Sequence, residues 1–302
     1  MWARPKSTDA LDIRTRHSHR QLDGERREVG GTFSNGCRYP GDPQAPYAEV
    51  CNCRCTLVAA VDGIDQSKAD RFSRLPEGMT YEEWKGEKKA EAAAEALKAS
   101  LTKKQVMSAK TVRAVVSKVV PLGPGKGKAA ADYIDMSALP NRHIAMFDEA
   151  VKYVPTKMLR TVKAAGVKAA YDPTNSRSKF SSTRNTLFIG WEADELTVVH
   201  ELMHVVETHD TDFLEEERKY FDSRTATSNL VQLRKLTGLN YRRDEKAYDV
   251  DSISVYAFKD YGGSAYELMS MGMETLYRSP SAYLNDTGML KWVLKMIRRF
   301  GS

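Results

Sequence analysis

The spacing of apolar residues divides the chain into three stretches of different character. From residue 131 to residue 302 apolar positions recur at helical intervals, and the predicted elements follow one another closely. "NRHIAMFDEAVKYVPTKMLRTVKAAG" (141–166) predicts one or two helices broken near Pro155, since proline interrupts a helix. "RNTLFIG" (184–190) predicts a strand, followed at once by a strongly apolar helix over "ELTVVHELMHVVE" (195–207). "TDFLEEERKYFDSRTATSNLVQLRKL" (211–236) reads as further helix and "ISVYAF" (253–258) as a short strand. "SAYELMSMGMETLYRSP" (264–280) reads as helix, and "TGMLKWVLKMIRRF" (287–300) as an amphipathic helix.

Residues 63–130 are charged and alanine-rich instead. "TYEEWKGEKKAEAAAEALKASL" (80–101) predicts a helix capped by Thr80, with Glu83 three residues on at the capping-box position. A second helix is predicted in "TKKQVMSAKTVRAVVSKVV" (102–120). Pro121, Gly123, Pro124, Gly125 and Gly127 then break the pattern and read as a linker. Residues 1–62 are rich in Arg, Gly, Pro and Cys, with short strand-like pieces such as "RCTLVAAV" (54–61). The expected fold is α+β and mainly helical. It comprises a small Cys/Gly/Pro-rich N-terminal module (1–62), a helical and Gly/Pro linker region (63–130), and a C-terminal domain with a small sheet (131–302).

Composition narrows the function classes. An apolar fraction of 41% in 302 residues is enough for a buried core. The net charge of +6, from 46 basic and 40 acidic residues, is modest. It lacks the dense basic footprint of a dedicated nucleic-acid binder, so nucleic acid is not expected as the main partner. No apolar run of membrane-spanning length occurs, which argues against a membrane partner. The N-terminus, "MWARPKSTDALDIRTRHSHR", lacks the apolar centre of a signal peptide and predicts a protein retained in a reducing cytoplasm. Cys37, Cys51, Cys53 and Cys55 all lie in one short region, unlike the spread of a disulfide-built secreted protein.

Two stretches carry candidate chemistry. His200 and His204 are four residues apart, so on a helix they share a face and can present two imidazoles to one ion. Zinc takes nitrogen and carboxylate ligands and leaves a position for water in a catalytic site. Zinc lowers the pKa of that water, and Glu201, beside His200, can take its proton as it attacks a carbonyl. The plain alternative is two ordinary histidines on an amphipathic helix. The surrounding Leu196, Val198, Val199, Leu202, Met203, Val205 and Val206 imply a buried helix, where polar groups need partners that a metal supplies. A third ligand is required. Asp210 stands six residues after His204, but Glu207 occupies the place where a glycine would let the chain turn sharply towards the metal. Glu267, in an apolar stripe on a later helix, is the preferred ligand. Glu274, seven residues on and on the same face, is expected behind it, or as an ordinary surface glutamate. Ser270 and Gly272 permit close helix contact.

The second stretch holds Cys51, Cys53 and Cys55, alternating on one face of an extended segment, with His17, His19 and Asp23 upstream. His19 with the three cysteines is a candidate structural metal site, although the spacing is not that of a standard zinc finger. Otherwise these are reduced, half-buried thiols.

Two resemblances follow from these residues. "HELMH" with "YELMSMGMETLY" downstream makes residues 132–302 similar to zincin metallopeptidases of the glutamate-ligand kind. That resemblance implies zinc on His200, His204 and Glu267, and Glu201 as general base. It also implies a Tyr or His that stabilises the oxyanion, for which Tyr256, Tyr266 and Tyr283 are candidates. "RTRHSHRQLDG", "YPGDP", "NCRC" and "YEEWK" make residues 1 to about 90 resemble the C-terminal module of Mu F-like phage minor head proteins. This implies portal or capsid partners and a place in the virion head or the bacterial host cytoplasm. Together they predict a phage or prophage minor head protein carrying a zinc metallopeptidase that cleaves a protein or peptide substrate. The alternative is a non-catalytic head-assembly component whose zincin-like domain is metal-stabilised or degenerate. A nucleic-acid-contacting head protein rests only on the basic balance.

Overall fold

The computed structural model describes residues 2–5, 16–22, 25–51, 53, 55–58, 81–102 and 107–302. Thr80, the expected cap, and Asp23, the expected acidic neighbour of the histidines, lie outside the described residues. The chain divides into two compact units, Met1–Lys88 and Lys89–Ser302.

The first unit contains β1 (Trp2–Pro5) paired antiparallel with β2 (Cys55–Val58), and two short helices, α1 (His17–Gln21) and α2 (Tyr47–Val50). Leu22 and Phe33 pack with Leu57. The turn at "YPGDP" closes on Asp42, whose carboxylate accepts from Arg38 Nε (2.9 Å) and Nη2 (3.1 Å) and from the backbone N–H of Gln44. The Arg38 guanidinium holds that carboxyl well below the usual range.

The long helix α3 (Tyr81–Thr102) contributes Ala90, Ala94 and Leu97 to the core of the second unit. The next helix, α4, covers only Ala109–Val116 of the longer stretch predicted, because the Ser108 side chain accepts from Thr111 N–H and fixes its start. The Gly/Pro-rich stretch read as a linker is pinned to this unit. Leu122 bridges Pro155, Gly123 N–H donates to the Val154 carbonyl (2.9 Å), and Tyr133 Oη donates to the Pro124 carbonyl (2.6 Å).

A four-stranded sheet follows: β3 (Asp135–Ala138), β4 (Lys168–Tyr171), β5 (Lys179–Ser181) and β6 (Thr186–Ile189), in the order β3-β4-β6-β5. The first three in that order run parallel, and β5 is antiparallel at the edge. Helices α5 (Asn141–Ala150) and α6 (Thr156–Ala165) form the crossover from β3 to β4, each starting just after a proline. Gly166, at φ 64°, supplies the left-handed residue that ends α6.

Helix α7 (Glu195–His209) carries the histidine motif and packs most extensively on α10 (Leu268–Arg278), and also on α5 and α6. Its Leu196, Val198, Val199, Leu202, Met203, Val205 and Val206 are all buried. At about 1.5–3 kcal/mol each, their burial favours this placement by on the order of 10 kcal/mol, enough to carry several buried polar groups with them. Helix α8 (Thr211–Thr225) ends well before the predicted point. The remainder forms β7 (Leu230–Gln232), paired antiparallel with β8 (Lys246–Tyr248), and the short α9 (Leu233–Thr237), stopped by Gly238 in the left-handed region. "ISVYAF" is not a strand. Ser254 caps a 3-10 turn over Val255–Phe258 that buries Ala257 and Phe258. Helix α11 (Thr287–Gly301) closes the unit. The protein is mixed α/β and mainly helical, and among the described residues no helix is long and apolar enough to cross a membrane.

Candidate metal centre and its cleft

Asp194 sets the start of α7: its side chain accepts from Thr197 N–H (2.9 Å). One turn further on, His200 and His204 lie side by side, ring centroids 5.1 Å apart. Glu267, immediately before α10, brings one carboxylate oxygen to both. Its Oε2 is 3.2 Å from His200 Nε2 and 3.3 Å from His204 Nε2. A tetrahedral ion bound at 2.0–2.1 Å holds nitrogen and oxygen ligands about 3.3–3.4 Å apart. The observed spacings match, and these three side chains form a group able to hold a metal ion.

The other imidazole nitrogens are also occupied. His200 Nδ1 is 3.0 Å from Glu274 Oε2, and His204 Nδ1 is 3.1 Å from Glu207 Oε2. With the proton on Nδ1 donated to a carboxylate, each ring turns its Nε2 lone pair inward, the arrangement that orients histidine ligands. Glu274 is fixed in turn by Arg278 Nε (2.9 Å), and the same guanidinium forks onto Asp194 with two contacts of 2.7 Å. This chain ties the end of α10 to the start of α7. Glu267 Oε1 accepts from Tyr261 Oη (2.6 Å) and Oε2 from Ser270 Oγ (3.0 Å).

The electrostatics of the cluster reflect its crowd of carboxylates. Burial disfavours the charged form of His200, but Glu267 and Glu274 outweigh it and raise its pKa to about 9. Burial opposes His204 likewise, yet Glu267 and Glu207 raise it well above its ordinary value. Glu267 is buried, yet the two imidazoles hold it well below the carboxylate range. Burial pushes Glu201 up. Its Oε2 accepts from the Phe180 backbone N–H (2.7 Å) on edge strand β5.

His200, Glu201, Thr197, Tyr256, Met271 and Glu274 line a cleft of about 410 Å³, together with Arg177 and Tyr241. The Arg177 guanidinium lies 5.1 Å from the Tyr241 ring and 5.9 Å from the Tyr256 ring. Of the three tyrosines considered as oxyanion donors, Tyr256 lines this cleft. Tyr266 packs against Phe221 (5.0 Å), and the Tyr283 hydroxyl is buried against the Gly272 carbonyl (2.8 Å). Asp210 is placed elsewhere: it caps α8 by accepting from Phe213 N–H (3.1 Å) and is not in the metal-ligating group.

Sequence reasoning missed the carboxylate behind His204. In the sequence Glu207 marks only the absence of a glycine, but three residues after His204 it lies on the same helical face. Glu217, buried on α8 and accepting from Met269 N–H (2.8 Å), was also missed. Its signal was present: a third glutamate in "LEEER" on the face shared with Phe213 and Phe221.

In the first unit His19, Cys53 and Cys55 converge. His19 Nδ1 is 3.2 Å from Cys55 Sγ and 3.9 Å from Cys53 Sγ. Cys51 does not join them. It is the capping residue at the end of α2 and is not in the converging group.

No known family profile and no solved structure matches the chain. One stretch is 38% identical over 93 residues to the minor head protein GP7 of Bacillus phage SPP1, covering 27% of this chain and 29% of that protein. Another match, 32% identical over 78 residues, is to an NAD(+)–arginine ADP-ribosyltransferase, EFV, of Enterococcus faecalis, covering 24% of this chain and 16% of that protein. The chain thus spans less than a third of the length of either relative. About a quarter of it is similar to a phage minor head protein.

Proposed function

We propose that the chain is a phage or prophage minor head protein whose second unit is a zinc-dependent metallopeptidase of zincin type. The observation that carries the enzymatic part is the convergence of His200 Nε2, His204 Nε2 and Glu267 Oε2 at tetrahedral spacing beside an accessible cleft. Zinc bound there supplies Lewis-acid activation of water and of a peptide carbonyl. Glu201 is the general base. It lines the cleft, is anchored by Phe180, and has a pKa raised by burial, which suits it to take a proton from the attacking water and pass it to the leaving amine. Tyr256, which lines the cleft, is the tyrosine this reading assigns to the developing oxyanion. The antiparallel edge strand β5 offers backbone for an extended peptide. The similarity to a minor head protein supports a virion location with portal or capsid contacts. A phage or host protein is the substrate that the peptidase reading requires.

The same similarity favours a second reading, a head-assembly component in which the metal serves only stability. One experiment separates the two. The full chain, zinc-loaded, is incubated with phage and host lysates, and new protein N-termini are mapped by mass spectrometry. The enzymatic reading predicts cleavage that Glu201→Gln reduces by about 10²–10⁴-fold while zinc is retained. Equal cleavage by Glu201→Gln would refute the base. No cleavage by a zinc-loaded chain would establish the assembly reading.

A further inference from the structure

We propose that the first unit holds a structural zinc ion on His19, Cys53 and Cys55, with Cys37, which lines the same cavity but stands outside that converging group, moving in as the fourth ligand when the ion binds. This site is separate from the cluster on α7 and independent of the peptidase reading.

Distances support it first. Zinc bound at about 2.0–2.1 Å to nitrogen and about 2.3 Å to sulfur places tetrahedral N and S ligands about 3.6 Å apart. His19 Nδ1 stands 3.2 Å and 3.9 Å from the two sulfurs, bracketing that value. The imidazole is nearly fully buried. Its other nitrogen, Nε2, lies 3.3 Å from Glu49 Oε2 but makes no well-directed hydrogen bond. Among the described residues neither nitrogen has a well-formed bond to oxygen, a costly state for a buried ring unless an ion engages it. Glu49, itself held by Ser18 Oγ (3.0 Å) and Asn35 Nδ2 (3.1 Å), stands on the Nε2 side of the ring, away from the sulfurs at Nδ1. A carboxylate behind a ligating histidine is the usual support of a protein zinc site.

His19, Glu49, Cys53 and Cys55 share a small cavity of about 20 Å³ with Cys37 and Phe33. That is room for about one water-sized body, and the lining thiols are better partners for zinc than for water. Cys37 is buried there, on a turn closed by the Phe33 N–H to Cys37 carbonyl bond (2.8 Å). The resulting Cys3His set is a common one for structural zinc. It would tie α1, the 33–37 turn and the start of β2 together, in a unit whose described apolar cluster is only Leu22 and Phe33 with Leu57. Small units with little core commonly rely on such a metal.

The test uses the full chain carrying His200→Ala and His204→Ala, so that metal on α7 does not contribute. The proposal predicts about one zinc per chain by elemental mass spectrometry, and a sulfur-to-metal charge-transfer band when cobalt replaces zinc. Adding Cys53→Ser and Cys55→Ser should remove both signals, Cys37→Ser should weaken metal retention by at least tenfold, and Cys51→Ser should change neither. Absence of zinc from the folded His200→Ala, His204→Ala chain overturns the proposal. Should the cysteine variants not fold, thiol labelling of the unmodified chain decides. Cys51 labels at once, and Cys37, Cys53 and Cys55 label only after a chelator is added. Equal labelling of all four without chelator overturns it.

Discussion

His200 and His204 stand on a 15-residue helix whose apolar face is buried throughout, whereas His19 stands on a helix of 5 residues. In the second unit each imidazole is backed by a carboxylate, and Glu267, Tyr261 and Arg278 extend the network. In the first unit the donors are mainly sulfur, on turns and a strand end, around a small cavity. The carboxylate-rich cluster is held in place by a core that exists without an ion, and it opens on a cleft, as a reaction site must. Among the described residues the thiol-rich cluster has only the small apolar cluster of Leu22, Phe33 and Leu57 in its unit, a setting in which a structural ion would matter. The lesson is that the setting of a cluster separates the two kinds of site as well as its donor types do.

The largest effect expected from this contrast follows metal removal. Chelation at neutral pH should abolish hydrogen-exchange protection in the first unit, since structural zinc contributes on the order of 10 kcal/mol to folding of small metal domains. Protection in α7 and α10 should persist. Equal loss in both units would erase the distinction drawn here.

Within the second unit, Glu267→Ala should abolish stoichiometric zinc at His200 and His204. Glu207→Gln and Glu274→Gln, which act through the imidazoles, should each weaken zinc binding by about 10–100-fold in isothermal titration. A null effect of Glu207→Gln would show that the carboxylate behind His204 is incidental.

Smaller again is the packing of α10. A methyl group at Gly272 would meet Val293 Cγ2 at 2.7 Å. Gly272→Ala should therefore cost about 1–3 kcal/mol. The Tm of the second unit should fall by about 2–4 °C per kcal/mol, with the first unit unaffected. An unchanged Tm would mean that α10 and α11 separate without penalty.

The smallest effect is electrostatic. Burial disfavours the Asp194 anion, but Arg278 and Thr197 outweigh it and lower its pKa to about 2. A carboxyl whose folded pKa lies below the unfolded value of about 3.9 stabilises the fold above that value. The contribution is lost as pH falls from about 4 to about 2. Asp194→Asn should flatten that part of the stability–pH profile by about 1 kcal/mol or less, because both partners are 40% exposed. An unchanged profile would remove the Asp194–Arg278 tie from the account.

Much of the second unit was legible because its elements are long and their apolar spacing is regular. Helix α7, the break at Pro155 and strand β6 follow from pattern alone. Glu267 was legible as a carboxylate in an apolar stripe. Glu207 was not, because its meaning depends on which face of α7 meets the start of α10. The Phe180–Glu201 and Arg278–Asp194 contacts join residues far apart in the chain and leave no local trace. "ISVYAF" was misread because four apolar residues in a row fit a strand or a buried turn equally well, and the Ser254 cap decided between them. The Gly/Pro stretch looked like a spacer because glycine and proline mark turns whether or not the turns are packed.

The most direct test of the central claim is anomalous scattering at the zinc edge from crystals of the zinc-loaded chain. The account predicts a peak bounded by His200 Nε2, His204 Nε2 and the Glu267 carboxylate, with Glu201 beside it facing the cleft. Glu267 bonded directly to both imidazoles, with no peak between them in zinc-soaked crystals, would contradict it.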